Sequence, residues 1–419
     1  RGLLAVQLAA LPGFGHHGAQ VGDAGQWGAN WANGDTATFN GPGGAINLGS
    51  AITTGNAALA FTTGNYSISA GAPLSIALGN TTINLGAVTA SIGSNVTVNR
   101  NTWIIDGTST ATSFFNLTSG TLSAASGNTT IREATVNVGS GSVLRSPGSI
   151  ICGLGSDGAA LNVSGGTVSI DDSGTSLILN NGAATASVTM TISSGAISFL
   201  NGSNTAGIRY GGNAGGNTTG VFNLDGGVVT VNKVFESTVG TVNSTFNFNG
   251  GTLRARRDNT DFMNGLDSAV VKSGGAIIDT NGRTVTLGQS LSPGSPSGGL
   301  TKNGLGTLTL SGISTYTGLT SVTAGRLNVS GSVESDINVA SGATLGGEGI
   351  AAGTTSFASS GSTFGFDPGT FEAFTASTLN LGSSIVQLSN DTAMTGGETY
   401  LVMVNDAGFT GSPLVNFRS

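Results

Sequence analysis

The chain has 419 residues, with 71 Gly, 8 Pro, one Cys and a formal net charge of −7. Only 8% of its residues are charged, against roughly 25% in globular chains, and its mean hydropathy of +0.18 excludes disorder, which needs low hydrophobicity with high charge. Glycine without a strict third-residue period excludes collagen, and a pI near 4.7 removes any long-range attraction for nucleic acid.

The chain opens on Arg1-Gly2-Leu3-Leu4-Ala5-Val6-Gln7-Leu8-Ala9-Ala10-Leu11. As a strand, this segment puts Leu4, Val6, Leu8 and Ala10 on one side and Gln7 on the other. Residues 1–13 then form an intersubunit strand that adds to the open edge of a neighbouring copy, with Leu3, Leu4, Val6, Leu8 and Leu11 as the subunit interface. As a helix, Leu4, Leu8 and Leu11 share a face, and the segment caps its own chain. Both readings stay open. Arg1 before a short apolar run also resembles the remnant of a secretory signal, although no small-x-small cleavage site follows closely. No stretch of about 18 consecutive apolar residues occurs, so no membrane-spanning helix is expected.

Residues 14–66 read as an N-terminal cap with the first rungs of a coil. They hold both His, His16 and His17, and the cluster Gln26-Trp27-Gly28-Ala29-Asn30-Trp31. From 67 to 356 one phrase dominates: apolar-x-apolar, two or three small residues with Gly, then further alternation. It occurs as Phe115-Asn116-Leu117-Thr118-Ser119-Gly120-Thr121-Leu122, Val136-Asn137-Val138-Gly139-Ser140-Gly141 and Leu161-Asn162-Val163-Ser164-Gly165-Gly166, with later copies starting at Met190, Phe222, Phe246, Leu327 and Ile337. Copies through Phe246 start 21, 25, 29, 32 and 24 residues apart. Alternation of period two means strands, and the Gly pairs tolerate positive φ at sharp corners.

That longer period suits one solenoid rung of two or three short strands, so the fold class expected is all-β, a parallel β-helix. About 18 rungs rising about 4.8 Å each would make a rod near 85 Å long. Asn116, Asn162, Asn223 and Asn247 alternate against apolar neighbours, so their amides face outward or line a polar ladder. Eleven Asn-x-Ser/Thr sequons occur, for example at Asn65, Asn80 and Asn116, most of them expected from so much Asn, Ser and Thr. Cys152, inside Ile150-Ile151-Cys152-Gly153-Leu154, reads as core filler. The basic knot Arg254, Arg256 and Arg257, followed by Asp258 and Asp261, reads as a solvated turn with local ion pairs. Residues 357–419 hold seven of the 18 Phe and read as a C-terminal cap, since a solenoid needs atypical ends.

Gly299-Leu300-Thr301-Lys302-Asn303-Gly304-Leu305-Gly306-Thr307-Leu308-Thr309-Leu310-Ser311-Gly312, with Thr315-Tyr316-Thr317-Gly318, Val322-Thr323-Ala324-Gly325-Arg326-Leu327 and Ser341-Gly342-Ala343-Thr344-Leu345-Gly346-Gly347, closely resembles the autotransporter-associated β-strand repeat of bacterial passenger and surface proteins. Phe246-Asn247-Phe248-Asn249-Gly250-Gly251 and Ile277-Ile278-Asp279-Thr280-Asn281-Gly282 resemble its linking phrases, and Trp31 to Asn40 its opening. The resemblance implies a right-handed β-helix, secreted or surface-displayed, used as a stalk, adhesin or matrix component. No membrane-barrel translocator of about ten-residue alternating strands follows the repeats, so the export route is not legible.

Catalysis is not expected. Asp171-Asp172, Asn259-Thr260-Asp261 and His17-Gly18 each resemble a motif of the pectin-cleaving hydrolases, but their order along the chain differs from that family's. Rungs of this length would hold them far beyond the roughly 5–10 Å of carboxylate chemistry. His16 and His17 are the only bases for a nucleophile, in a Gly-rich loop. Asp171 and Asp172 are a weak calcium candidate at a turn. No cofactor or metal is expected. The function expected is a non-enzymatic extracellular building material whose copies join into a fibre or layer, with itself as partner. A glycan-binding adhesin is the alternative, with Trp103, Tyr210 and Tyr316 either stacking on sugars or packing in the core, and a polysaccharide-degrading enzyme ranks third.

Overall fold

A computed structural model describes residues 6–9, 36–39, 43–48, 58–62, 64–70, 74–76, 81–93, 95–98, 102–154, 158–171, 176–181, 187–200, 206–212, 217–238, 241–358, 361–366, 374–382, 385–388, 403–405, 409–411 and 414–416. These residues form strands, turns and bends, with no helix among them. They divide into two compact units, Arg1–Phe222 with Glu236–Ser244, and Asn223–Phe235 with Thr245–Ser419.

In the first unit the parallel strands Thr36–Phe39, Ala58–Phe61, Thr81–Leu85, Thr102–Asp106, Asn128–Arg132, Ile150–Cys152, Leu177–Leu179 and Ile208–Tyr210 pair in succession and make one face. Each pairs with the strand one rung later, the parallel β-helix that the long period predicts. The other two faces are laid down by strands that turn a corner while remaining paired. The first half of Phe114–Ala124 pairs with Thr135–Gly139 and its second half with Ser142–Ser146. Ala159–Ile170 and Ser187–Phe199 bend in the same way. At these bends Gly120, Gly165 and Gly195 have φ of +74°, +89° and +87°. A side chain is disfavoured in that region, which is why the repeat places Gly there.

Alternation puts every second residue inside, and register turns those residues into columns. Ile105, Ile131, Cys152, Leu179 and Tyr210 occupy one column, each fully buried. Burying each large apolar side chain contributes about 1.5–3 kcal/mol. Trp103 lies in a neighbouring column, where its Nε1 donates to Thr129 Oγ1 at 2.9 Å and Thr129 passes a 2.9 Å bond to Ser146 Oγ.

Val6–Ala9 is a strand rather than the Leu/Ala helix, and it pairs antiparallel with Thr36–Phe39 of its own chain. Of the residues expected at a subunit interface, Val6 and Leu8 lie in this strand, while Leu3, Leu4 and Leu11 fall outside the described residues.

The second unit is built on the same plan. Its first face is the parallel series Asn259–Asn264, Thr284–Leu287, Thr307–Leu310, Arg326–Val329, Thr344–Gly346, Thr363–Phe366, Ile385–Leu388 and Leu414–Asn416. Ile313–Ser314 and Ser332–Val333 belong to its second face. Thr252–Ala255, Ala276–Asp279, Leu300–Asn303, Thr320–Val322 and Ile337–Val339 form the third. Val285, Leu308, Leu327, Leu345 and Phe364 make a fully buried inner column.

Candidate functional site

The outward positions carry whatever chemistry the molecule offers. On the second face of the first unit, Ser91, Asn116, Asn137 and Asn162 are in register on successive rungs. Asn162 Nδ2 donates to Asn137 Oδ1 at 2.9 Å, Asn137 Nδ2 to Asn116 Oδ1 at 2.7 Å, and Asn116 Nδ2 to Ser91 Oγ at 3.3 Å. This is the polar ladder that the alternation predicts. The second unit repeats it, Asn247 Nδ2 donating to Asn223 Oδ1 at 2.8 Å. The amide of the sequon residue Asn116 is therefore engaged on both of its atoms, and Asn65 Oδ1 accepts the Thr89 amide at 2.8 Å.

The charges likewise bridge rungs. Arg132 grips Asp106 with Nε at 2.7 Å and Nη2 at 2.5 Å, and Arg145 pairs with Asp171, whose other oxygen accepts Ser169 Oγ at 3.0 Å. The basic knot differs from the expected local pairing. Arg254 reaches forward one rung to Asp279 at 2.8 Å, because a strand directs its side chain to the in-register neighbour. Asp258 Oδ1 instead accepts the Thr284 amide at 2.7 Å, and Asp261 lies 3.9 Å from Lys233. Burial lowers the Arg256 pKa, and the charge of Arg257 lowers it further.

The described groups considered for catalysis belong to different compact units. Asp171 is committed to Arg145 in the first unit and lines an open groove with Thr97, Ser123 and Pro147. Asn259, Thr260 and Asp261 belong to the second unit, where Asn259 Nδ2 donates to Asn232 O at 2.8 Å and its Oδ1 accepts the Asp261 amide at 2.8 Å. Asp172, His16 and His17 lie outside the described residues. Among the described residues, no three His, Cys, Asp or Glu side chains are grouped as a metal site. Trp103, Tyr210 and Tyr316 are all fully buried, so none of them offers a ring to a sugar; each fills the interior instead. Burial raises the Tyr316 pKa to about 12, opposed by its hydrogen bonds with Thr320 and Ser335. Cys152 sits in its inner column with its thiol pushed far up by burial, the filler role expected of it.

Lys302 escaped the sequence reading. It occupies the inner column Leu253–Ile278–Lys302–Val322–Val339 of the third face and is fully buried. Its Nζ turns to the corner and donates to Gly304 O at 2.7 Å, Ala324 O at 2.9 Å and Asn303 O at 3.1 Å. Burial lowers its pKa to about 8, against a smaller upward pull from Asp279. The signal in the sequence was its spacing, two residues after the inward Leu300 and just before Asn303-Gly304.

The passenger-associated-transport-repeat family model matches residues 300–329. That segment holds Lys302, Tyr316 and the strands from Leu300–Asn303 to Arg326–Val329, and it agrees with the resemblance to the autotransporter-associated β-strand repeat. No curated protein and no solved structure matches the chain. No helix among the described residues is long and apolar enough to cross a membrane.

Proposed function

We propose that this is a non-enzymatic, passenger-like extracellular protein, a β-solenoid subunit whose copies assemble into a fibre or a surface layer. The observation that carries the reading is a passenger-associated transport repeat within a parallel coil on which outward asparagines and several ion pairs join successive rungs. Ladders of neutral amides and paired charges coat the faces without strong mutual repulsion. Their hydrogen bonds contribute about 0.5–1.5 kcal/mol each and stiffen the stack. Bulk length is then the product, and no substrate has to be turned over.

Negative-stain microscopy of the purified full chain tests the reading, with ordered fibres or sheets as the expected image. A chain that stays monomeric at every concentration, or that releases products from acidic polysaccharides, would overturn it.

A further inference from the structure

Resting on that reading, we propose that two corners of the second unit, one cationic and one acidic with exposed apolar side chains, bind each other between copies of this chain.

The cationic corner precedes the first-face strands. Lys233, then Arg256 and Arg257, then Arg283, then Leu305 occupy it on successive rungs. Rung-to-rung bonds fix that stacking: Asn259 Nδ2 donates to Asn232 O at 2.8 Å, Asn281 Nδ2 to Ala255 O at 3.2 Å, and the Gly282 amide to Leu305 O at 2.5 Å. Four cations share this corner with two carboxylates, Asp258 and Asp261. Arg257 and Arg283 are exposed and have no carboxylate partner among the described residues. Leu305, on the next rung, is 73% exposed.

The opposite character sits at the corner between the second and third faces. Glu334 and Asp336 are exposed there, neither within reach of a cation among the described residues. Ile313, 67% exposed, and Ile350, 51% exposed, flank them on the second face, in register through Ser332. Leu319 is 49% exposed and stacks on the Asp336 rung, where the Thr320 amide donates to Asp336 O at 2.8 Å. Large apolar side chains exposed together beside charges mark an interaction surface.

Charge along the chain points to a second copy as the occupant. Residues 232–329 carry eight Lys or Arg and five Asp or Glu, whereas residues 330–419 carry one and eight. A polyanion would match the cations alone, whereas the acidic corner with its apolar flanks matches both the cations and Leu305. Because the two corners are different surfaces, the contact is heterologous, and its repetition gives an open assembly unless the rotation closes.

Sedimentation of the full chain at low and high salt, with charge-reversed variants, tests this. Arg257→Glu with Arg283→Glu, and separately Glu334→Lys with Asp336→Lys, each weaken self-association by about tenfold or more, as does raising the salt. An equimolar mixture of the two double variants regains association, because each then supplies the charge that the other lacks. All four sites are exposed, and the one bond lost, from the Thr354 amide to Asp336 Oδ1 at 2.7 Å, lies at the surface, so circular dichroism of each variant matches the parent. Double variants that associate like the parent, or a mixture that stays apart, overturn the proposal. If those variants still form fibres in micrographs, only the corner contact fails; if the parent never associates, the assembly reading fails with it.

Discussion

Replacing Lys302 with methionine keeps the length of the side chain and removes its donors. Asn303 O keeps a bond from the Thr280 amide at 3.0 Å, but Gly304 O and Ala324 O lose their donor, because the single Thr280 hydroxyl proton has its shortest acceptor in Leu305 O at 2.8 Å. An orphaned buried carbonyl costs about 1–3 kcal/mol. Against this, methionine removes a charge that the fold disfavours. A pKa lowered from 10.5 to about 8 corresponds to a ceiling of about 3 kcal/mol, or about 1–2 kcal/mol after allowance for relaxation of the surrounding dipoles around the charge. At pH 7 the two lost acceptors outweigh the removed charge, and the variant lies about 1–3 kcal/mol below the parent.

The sign changes with pH in a defined window. Between pH 8 and 10.5 the unfolded chain keeps the Lys302 proton while the folded chain has lost it, so stability of the parent rises with pH. The contribution is complete above 10.5 and is lost as pH falls through 8. The variant has no such group, so its deficit grows by about 1–2 kcal/mol across the window. Urea unfolding followed by far-ultraviolet circular dichroism, with both proteins measured at each pH, cancels every other titration. A difference that stays flat or shrinks from pH 8 to 10.5 would refute the clamp.

The ladders and corners yield two more predictions. Asn137→Ala removes one bond to Asn116 and one from Asn162, and because water reaches the half-buried column, thermal denaturation should show a loss of only about 1 kcal/mol; a loss above about 3 kcal/mol would mean that the column supports more than its own bonds. Gly141→Ala and Gly195→Ala share a positive φ, of +75° and +87°, but a Cβ meets nothing within 4 Å at Gly141 and lies 2.1 Å from Gly166 O at Gly195. The first should cost about 1 kcal/mol from conformation alone and the second several times that in urea midpoints, and equal costs would contradict the corner geometry.

The period of the Phe115, Val136 and Leu161 phrases made the coil legible, because each phrase is a strand plus the glycine corner that turns it. The asparagine columns were legible for the same reason: alternation fixes the face, and in-register stacking then fixes the neighbour. Ion-pair partners were not legible. Arg254 looked to Asp258 and Asp261 along the chain, whereas its partner Asp279 is a full rung away in sequence and adjacent in space. Lys302 was missed because its stem occupies an apolar position while only its tip is polar, so alternation classifies it wrongly. The apolar segment at Val6–Ala9 was ambiguous between two periods until its pairing with Thr36–Phe39 selected the strand.

Rung length varies widely without disturbing the ladder. Arg326 and Thr344 are 18 residues apart and Leu177 and Ile208 are 31, yet both pairs stand in register on adjacent strands. The number of residues between paired strands varies, and the strands pair in register regardless of it. Foreign peptides spliced into a bend would therefore be carried outward on a framework that senses only its nearest neighbours. A coil of this kind is a ready display platform, with a spacing between displayed segments set by how many turns of backbone separate them.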